Sequence, residues 1–562
     1  VIALPRIRFK TIKLLLSLLS ILLLGLLGAV GTTQSVQAYS DYSDYLLVWA
    51  SDMGTDDGKQ DPDFLAVIDT RKDSPTYGKI VNTASLPCVP NANLIDELKI
   101  ASGVPSCVLN EAHHITEKLY VAPITKHKYL FAAGLISGNI FKFDVTNPLN
   151  IPPATLAVTA RDIKKFSGVD DMLFLPKGNL IATYMGAKDL TTPGGLVEFS
   201  PNGEVVGEYD AAKAGGPTRY VPNIKGVTDT GLLAHPHGIS LREDLNVLIT
   251  SDFAAPLSLA LTNPINQVQE LGTTVRIWDL SNLKAGPQKI IQVEDGPRVE
   301  RNRNHEEPEG LMSASLLKLK ENKGAFTASM CGGALYYTPD ITAENPAFRE
   351  VYDSGPCTGQ AVFKITEDDK FLIMPIAGNQ SPGDSIFNRD YLGEHSRRVV
   401  VLDIRPLIAK GSDPILCGPP SATNNPMTGY TTKISGHNNG AQDCPVEVAK
   451  LNVDSELNFW TRGGPHFIQL DNNGKRFAFS NYFVDLKNFG FPGTGMGGDL
   501  KIFIADFDKA NGTSTIDERF KDELTGTIGV DFNRPTTYAW PGTRSHSGSA
   551  KPHAMIFVKS QR

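Results

Sequence analysis

The stretch TRGGPHFIQLDNNGKRFAFSNYF, residues 461–483, holds two short runs, FIQL and RFAFS, on either side of the polar segment DNNGK. Branched and aromatic side chains suit a pleated, half-buried surface. Asn473-Gly474 is the signal of a two-residue hairpin turn. The stretch therefore reads as a β-hairpin with His466 at its entrance. One histidine at a strand end is ordinarily a surface or capping group. It acquires a meaning only if other hairpins repeat the arrangement, and they do.

Short apolar runs rich in Val, Ile, Phe and Tyr recur along the 562 residues between clusters of Gly, Pro, Asn and Asp, and helical periodicity is scarce. This is the pattern of an all-β chain long enough to bury a large core. Aligned with one another, the runs form a loose unit of strand, polar turn, strand, variable insertion and a further strand ending near Asp. Seven copies can be followed, from LLVWASDM with DFLAVIDT, through KLYVAPITKHKYLFAAGLISGNIFKFDVTNP, to the opening stretch with GDLKIFIADFD. Each copy supplies one four-stranded sheet, and such sheets bury their faces only by packing around an axis. The expectation is a seven-bladed β-propeller with long loops spanning residues 39–562, with six or eight blades as the neighbouring counts. KPHAMIFV, following the seventh unit, is expected to return to the first blade and close the ring.

Propeller geometry brings the starts of the innermost strands together. His237 in PHGI, His466 in PHFI and His553 in PHAM share one local context, and His113-His114 in NEAHHI precedes the second unit's inner strand. Imidazoles gathered from distant units suit copper, iron, zinc or nickel, whereas calcium and magnesium prefer oxygen. His114, His237, His466 and His553 are the candidate metal ligands, with His113 as the alternative to His114. His113 and Glu309 are the candidate catalytic groups. Glu309, Asp170 and Asp171 occupy comparable points in other units and could hold the imidazole tautomers. His127, His395 and His546 fall in polar turns or tails, His437 in a Gly- and Asn-rich loop, and His305 among charges. There is no GxSxG elbow and no Walker loop.

Arg6, Arg8, Lys10 and Lys13 precede the apolar run Leu14–Val30 and the small-residue site Val36-Gln37-Ala38. This reads as a secretory signal, residues 1–38, cleaved after Ala38, with an uncleaved anchor as the alternative. The expected location is periplasmic or secreted, without stable membrane association after cleavage. Removing four basic residues leaves 50 basic against 61 acidic, a formal charge of −11, which argues against nucleic acid as a partner. The six cysteines fall as neighbouring couples, Cys88/Cys107, Cys331/Cys357 and Cys417/Cys444. Pairing within each couple is expected in an oxidising compartment.

Taken together, DPDFLAVIDTRKDSPTYGKIVNTASLP, NEAHHI, NVLITSDFAAP, VRIWDLSNLK, NHEEPEGLMSA, EDDKFLIMPIAGN and GGPHFIQLDNNGKRFAFSNYF resemble, in order, segments of the selenium-binding proteins, known enzymatically as methanethiol oxidases. The resemblance spans about residues 60–555. Familiar members carry a Cys-rich segment after His-His that is missing here, and an acidic residue and a glutamine where His237 and His466 stand. Their closing element is reduced to PHAMIFV. The chain thus resembles a divergent, exported branch. The resemblance implies copper-dependent oxidation of a small thiol by dioxygen, giving sulfide, aldehyde and peroxide. Carotenoid-cleaving dioxygenases use four histidines with iron in a propeller, so iron is the alternative metal. A non-catalytic propeller binding a protein or polysaccharide is the alternative of another class.

Overall fold

Tyr45–Asp52 is buried along its whole length, so it must be covered on both faces and both edges. Its edges are taken by Phe64–Asp69 on one side and Ala550–Val558 on the other. The computed structural model of the protein describes residues 42–53, 61–87, 106–108, 112–213, 218–220, 228–230, 233–256, 271–293, 298–300, 305–306, 310–330, 333–354, 360–377, 397–411, 430–432, 443–453, 464–485, 495–543 and 547–560. Residues 1–41, and with them the expected signal segment, lie outside the described residues.

Seven antiparallel sheets, five of four strands and two of five, stand as blades around an axis. Counted from the inner strand, blade 1 is Ala550–Val558, Tyr45–Asp52, Phe64–Asp69 and Ile80–Ser85. Blades 2 to 7 begin with the inner strands Ala112–Ile115, Phe166–Phe174, Pro236–Arg242, Leu311–Leu316, Lys364–Ile365 and Ile468–Leu470. The seven repeats read from the sequence are these blades. Smaller strands at 218–220 with 228–230, and at 298–300 with 305–306 and 430–432, lie outside them. Among the described residues there is one α-helix, Arg405–Lys410, and no helix long and apolar enough to cross a membrane.

The hairpin of residues 468–485 forms as expected, with Ile468 opposite Phe479 and Leu470 opposite Phe477. Its turn differs. Asp471 N–H donates to the Arg476 carbonyl at 2.9 Å and Gly474 N–H to the Asp471 carbonyl at 2.7 Å, which leaves a turn of four residues, 472–475, instead of two. Gly474 takes the left-handed φ of 62°. The longer turn frees the Asp471 carboxylate, which receives Arg476 Nε at 2.6 Å and the Ser43 hydroxyl at 2.5 Å. Arg476 continues to the Thr70 and Ser43 carbonyls, both at 2.7 Å, so a turn in blade 7 is fastened to blade 1.

Ring closure occurs where the sequence places it. Ala550–Val558 pairs antiparallel with Tyr45–Asp52, Leu46 opposite Phe557 and Leu47 opposite Ile556, and every residue of the closing strand is buried. Cys107 and Cys444 are buried, while Cys88, Cys331, Cys357 and Cys417 lie outside the described residues.

Burying Met555, Ile556, Phe557 and Val558 contributes roughly 6–12 kcal/mol at about 1.5–3 kcal/mol per side chain, comparable with the whole net stability of a typical domain. Deleting residues 550–562 is therefore expected to lower the melting temperature by more than about 10 °C or abolish the cooperative transition, whereas His553→Ala in metal-free protein should melt within a few degrees of wild type. Calorimetry on both metal-free variants checks this. A truncated protein that melts like wild type would show the segment to be a loose tail.

Candidate metal centre

Inner strands bring their buried side chains to the axis, and the residues that arrive there are histidines. His113 and His114 come from blade 2, His237 from blade 4 and His553 from blade 1. His466 lies two residues before the inner strand of blade 7. All five are at most 3% exposed. The rings of His113 and His553 are 4.5 Å apart, those of His466 and His553 4.6 Å, and those of His114 and His237 5.8 Å.

Local sequence explains how the strands pass so closely. Gly238 follows His237 because a Cβ there would meet the Ala314 nitrogen at 2.7 Å and the Met312 carbonyl at 2.8 Å, both on blade 5. Thr183 holds the His237 carbonyl with its hydroxyl at 2.7 Å. His466 N–H donates to the Ser480 carbonyl at 3.0 Å, and the His466 carbonyl accepts Val362 N–H at 3.2 Å, tying blade 7 to blade 6. Phe467 packs edge-on to His114 at 5.5 Å, and Phe253 edge-on to His237 at 5.0 Å.

A carboxylate lies among the rings. Asp170, fully buried on the inner strand of blade 3, places Oδ2 2.8 Å from His113 Nε2 and 3.3 Å from His237 Nε2, with Oδ1 3.7 Å from His114 Nε2. Asp171 pairs with His114 Nδ1 at 3.1 Å, which leaves His114 Nε2 turned to the interior. His553 Nδ1 donates to the His113 carbonyl at 2.8 Å, so its Nε2 carries no proton when the ring is neutral and is a lone-pair donor. His113 Nδ1, His114 Nε2, Asp170 Oδ1 and His553 Nε2 are buried without a hydrogen-bond partner. Each such atom costs about 1–3 kcal/mol, which a stable fold tolerates when a ligand is to satisfy it. Donor atoms of His113, His114 and Asp170 lie within 4.8 Å of one another, close enough to share one ion.

Burial, with neighbouring imidazoles adding to it, pushes His113, His466 and His553 well below the ordinary histidine value. Burial also lowers His237, to about 4 even with Asp170 beside it. His114 departs from the others. Burial opposes its charged form, yet Asp171 and Asp170 together hold its pKa above the ordinary value. Four of the five rings are thus neutral near pH 7, the state a metal requires.

The structure brings together all four ligands expected from sequence, with His113 beside them. Asp170 is more central than an acceptor in a neighbouring blade; GVDDML in the register of the inner strand is the only sequence signal for it. His235, absent from the candidate set, is buried with Nδ1 3.1 Å from the Met185 carbonyl and supports the strand. His127 sits at the surface, 47% exposed, beside Asp144 at 2.6 Å. The strand at 305–306 places His305 outside the blades. Glu309, His395, His437 and His546 lie outside the described residues.

Residues 36–316 match the model of the 56 kDa selenium binding protein family. The chain belongs to the selenium-binding protein family. The resemblance drawn from NEAHHI and the Ala-Ala-Pro loop, both within the matched residues, is therefore upheld. Among solved structures, a hypothetical selenium-binding protein from Sulfolobus tokodaii superposes with a TM-score of 0.59 at 15% identity, over 92% of this chain and 94% of that one. That likeness establishes the shared propeller fold. A periplasmic gluconolactonase from Pseudomonas aeruginosa aligns over 92% and 99% of the two chains at 11% identity, with a TM-score of 0.46. No curated protein sequence matches the chain significantly.

Four depressed imidazoles make the metal-free protein acid-sensitive in a defined direction. Unfolded histidine takes up a proton near pH 6.5 that the buried rings refuse, so stability is complete above that value and falls as pH drops through 6.5 toward about 4, where His237 protonates in place. His114 acts in the opposite sense and offsets part of the loss. Each refusing ring contributes a slope of about 1.4 kcal/mol per pH unit. Denaturant titrations between pH 7 and 5 are expected to give a shallower slope for His553→Ala than for wild type, by about that amount. Equal slopes would mean that His553 is not held neutral.

Proposed function

We propose that the chain is an exported, copper-dependent oxidase of a small thiol. The observation that carries this reading is the convergence of buried, mostly neutral imidazoles from blades 1, 2, 4 and 7 around Asp170, with several ring nitrogens left without partners. Imidazole is a good donor for copper. His114, His237, His466 and His553 would hold the ion, and Asp171 would fix the His114 tautomer, as carboxylates behind ligand imidazoles do. His113, hydrogen-bonded to Asp170, is placed to hold or pass a proton, a role that Glu309 would share. Bound copper would supply a redox-active Lewis acid with affinity for thiolate sulfur. Phe253 and Phe467 keep water from the rings.

The reaction converts a primary thiol, dioxygen and water into the corresponding aldehyde, hydrogen sulfide and hydrogen peroxide. The C–S bond breaks, water provides the carbonyl oxygen, and the two electrons lost by carbon reduce dioxygen to peroxide. A second reading, an iron-dependent oxygenase, is favoured by one feature: two histidines and a carboxylate, His113, His114 and Asp170, within sharing distance. That donor set suits non-haem iron.

Metal analysis of the exported protein separates these readings, with stoichiometric copper expected. His466→Ala is expected to lower bound metal and thiol oxidation at least tenfold while His127→Ala retains both. A folded wild type that carries no transition metal would leave a non-catalytic propeller. Export and cysteine pairing belong to the same proposal. Non-reducing peptide mapping should find an N-terminus near Tyr39 and links Cys88–Cys107, Cys331–Cys357 and Cys417–Cys444, each worth roughly 3 kcal/mol. A full-length chain with six alkylatable thiols would refute both.

A further inference from the structure

A cavity of about 350 Å³ runs from the metal centre toward the face formed by the short turns that leave the inner strands. His114 and Asp171 stand at its inner end, and Ile239, Met312 and Val362 contribute to its walls. At the outer end are Glu117, Lys118, Lys318, Lys364 and Glu367. The volume lies within the range of small-molecule sites and far exceeds what a one-carbon thiol fills.

The mouth is bridged from side to side. Lys364 of blade 6 pairs with Glu117 on the turn after the inner strand of blade 2, across the axis. The lysine side chain is 16% exposed and the glutamate 46%. Lys364 Nζ lies 5.5 Å from the centroid of Phe467, whose ring packs against His114. A single aromatic ring therefore separates this ammonium from a metal-facing imidazole. Glu117 feels Lys364 most strongly, with Lys318 and Lys118 adding to it, and its carboxyl is held at about 2. Three cations attend one exposed carboxylate, which sits as an internal anion where a ligand's anionic group could take its place.

We infer that the cavity takes a small thiol bearing an anionic group, such as a thiol carboxylate, with sulfur toward His114 and the carboxylate on Lys364 and Lys318 in place of Glu117. This rests on the thiol-oxidase reading and narrows it. The apolar walls accept the carbon chain between the two ends. For 3-mercaptopropionate the balanced reaction is thiol, dioxygen and water to malonate semialdehyde, hydrogen sulfide and hydrogen peroxide, with the carboxylate unchanged. Lys364 is then a specificity-determining residue and Glu117 a competitor for it.

The test uses metal-loaded protein with 3-mercaptopropionate and neutral 1-propanethiol. Lys364→Ala is expected to raise KM for the anionic thiol at least tenfold, with kcat and the propanethiol KM little changed. Glu117→Gln, which frees the ammonium, should lower KM for the anionic thiol and serves even if Lys364→Ala folds poorly. Equal effects on both thiols, or none in either variant, would overturn the assignment. If wild type oxidises neither thiol, the oxidase reading has failed, and calorimetric titration with propionate judges the pocket alone. Binding lost in Lys364→Ala supports the anion site, and no binding to wild type removes it.

Discussion

A blade of four strands cannot bury its own faces, so everything in this molecule depends on the ring being shut. Shutting it falls to one antiparallel pairing, Ala550–Val558 on Tyr45–Asp52. Buried ion pairs reinforce neighbouring blades by a shared device. Arg476 and Asp471 reach from blade 7 to the Ser43 and Thr70 carbonyls. Arg276 and Asp252 of blade 4 reach the Ala211 carbonyl after blade 3 and the Leu233 carbonyl before blade 4, at 2.7 and 2.6 Å. Burying such charges is costly, and the extra carbonyl contacts offset the desolvation. A guanidinium that spans two blades also sets their angle, which a purely apolar contact would leave softer.

The axis is the least favourable place in the fold for polar groups, and it is where they are concentrated. Five imidazoles and Asp170 exclude water from one another, and burial depresses the pKa of four of the rings, His113, His237, His466 and His553. A core of leucines would fill the space at lower cost. Retaining partnerless nitrogens in a dry interior is intelligible if ion binding supplies what hydrogen bonding does not, since in such proteins ligand affinity is also folding energy. The closing strand therefore joins structure and chemistry, because the residues that seal the ring also carry His553.

Much of this is legible in one dimension. Alternation and turn residues mark the blades, and the repeated Pro-His context of His237, His466 and His553 marks the axis, because equivalent positions in repeated hairpins meet by symmetry. The turn after FIQL is longer than its sequence suggests: Asn-Gly also fits the middle of a four-residue turn, and the Asp471 carboxylate is claimed by Arg476 across the turn and by Ser43 from a distant part of the chain. Asp170 can be placed near the axis but not at its centre, since GVDDML lacks the Pro-His signature. The contact of Lys364 with Glu117 is invisible, because nothing local announces a partner on the opposite side of a ring.

The closing strand also orders events in time. Its partner, Tyr45–Asp52, is among the first parts of the fold to be synthesised, and Ala550–Val558 is among the last. Until those residues arrive, blade 1 has a bare edge and the axial histidine cluster lacks one imidazole. Under the proposed export, an incomplete ring would also keep the chain from its final fold until its last strand is made. If the cluster holds the proposed ion, its full set of imidazoles exists only after the ring has closed, so the compartment in which that happens supplies the metal.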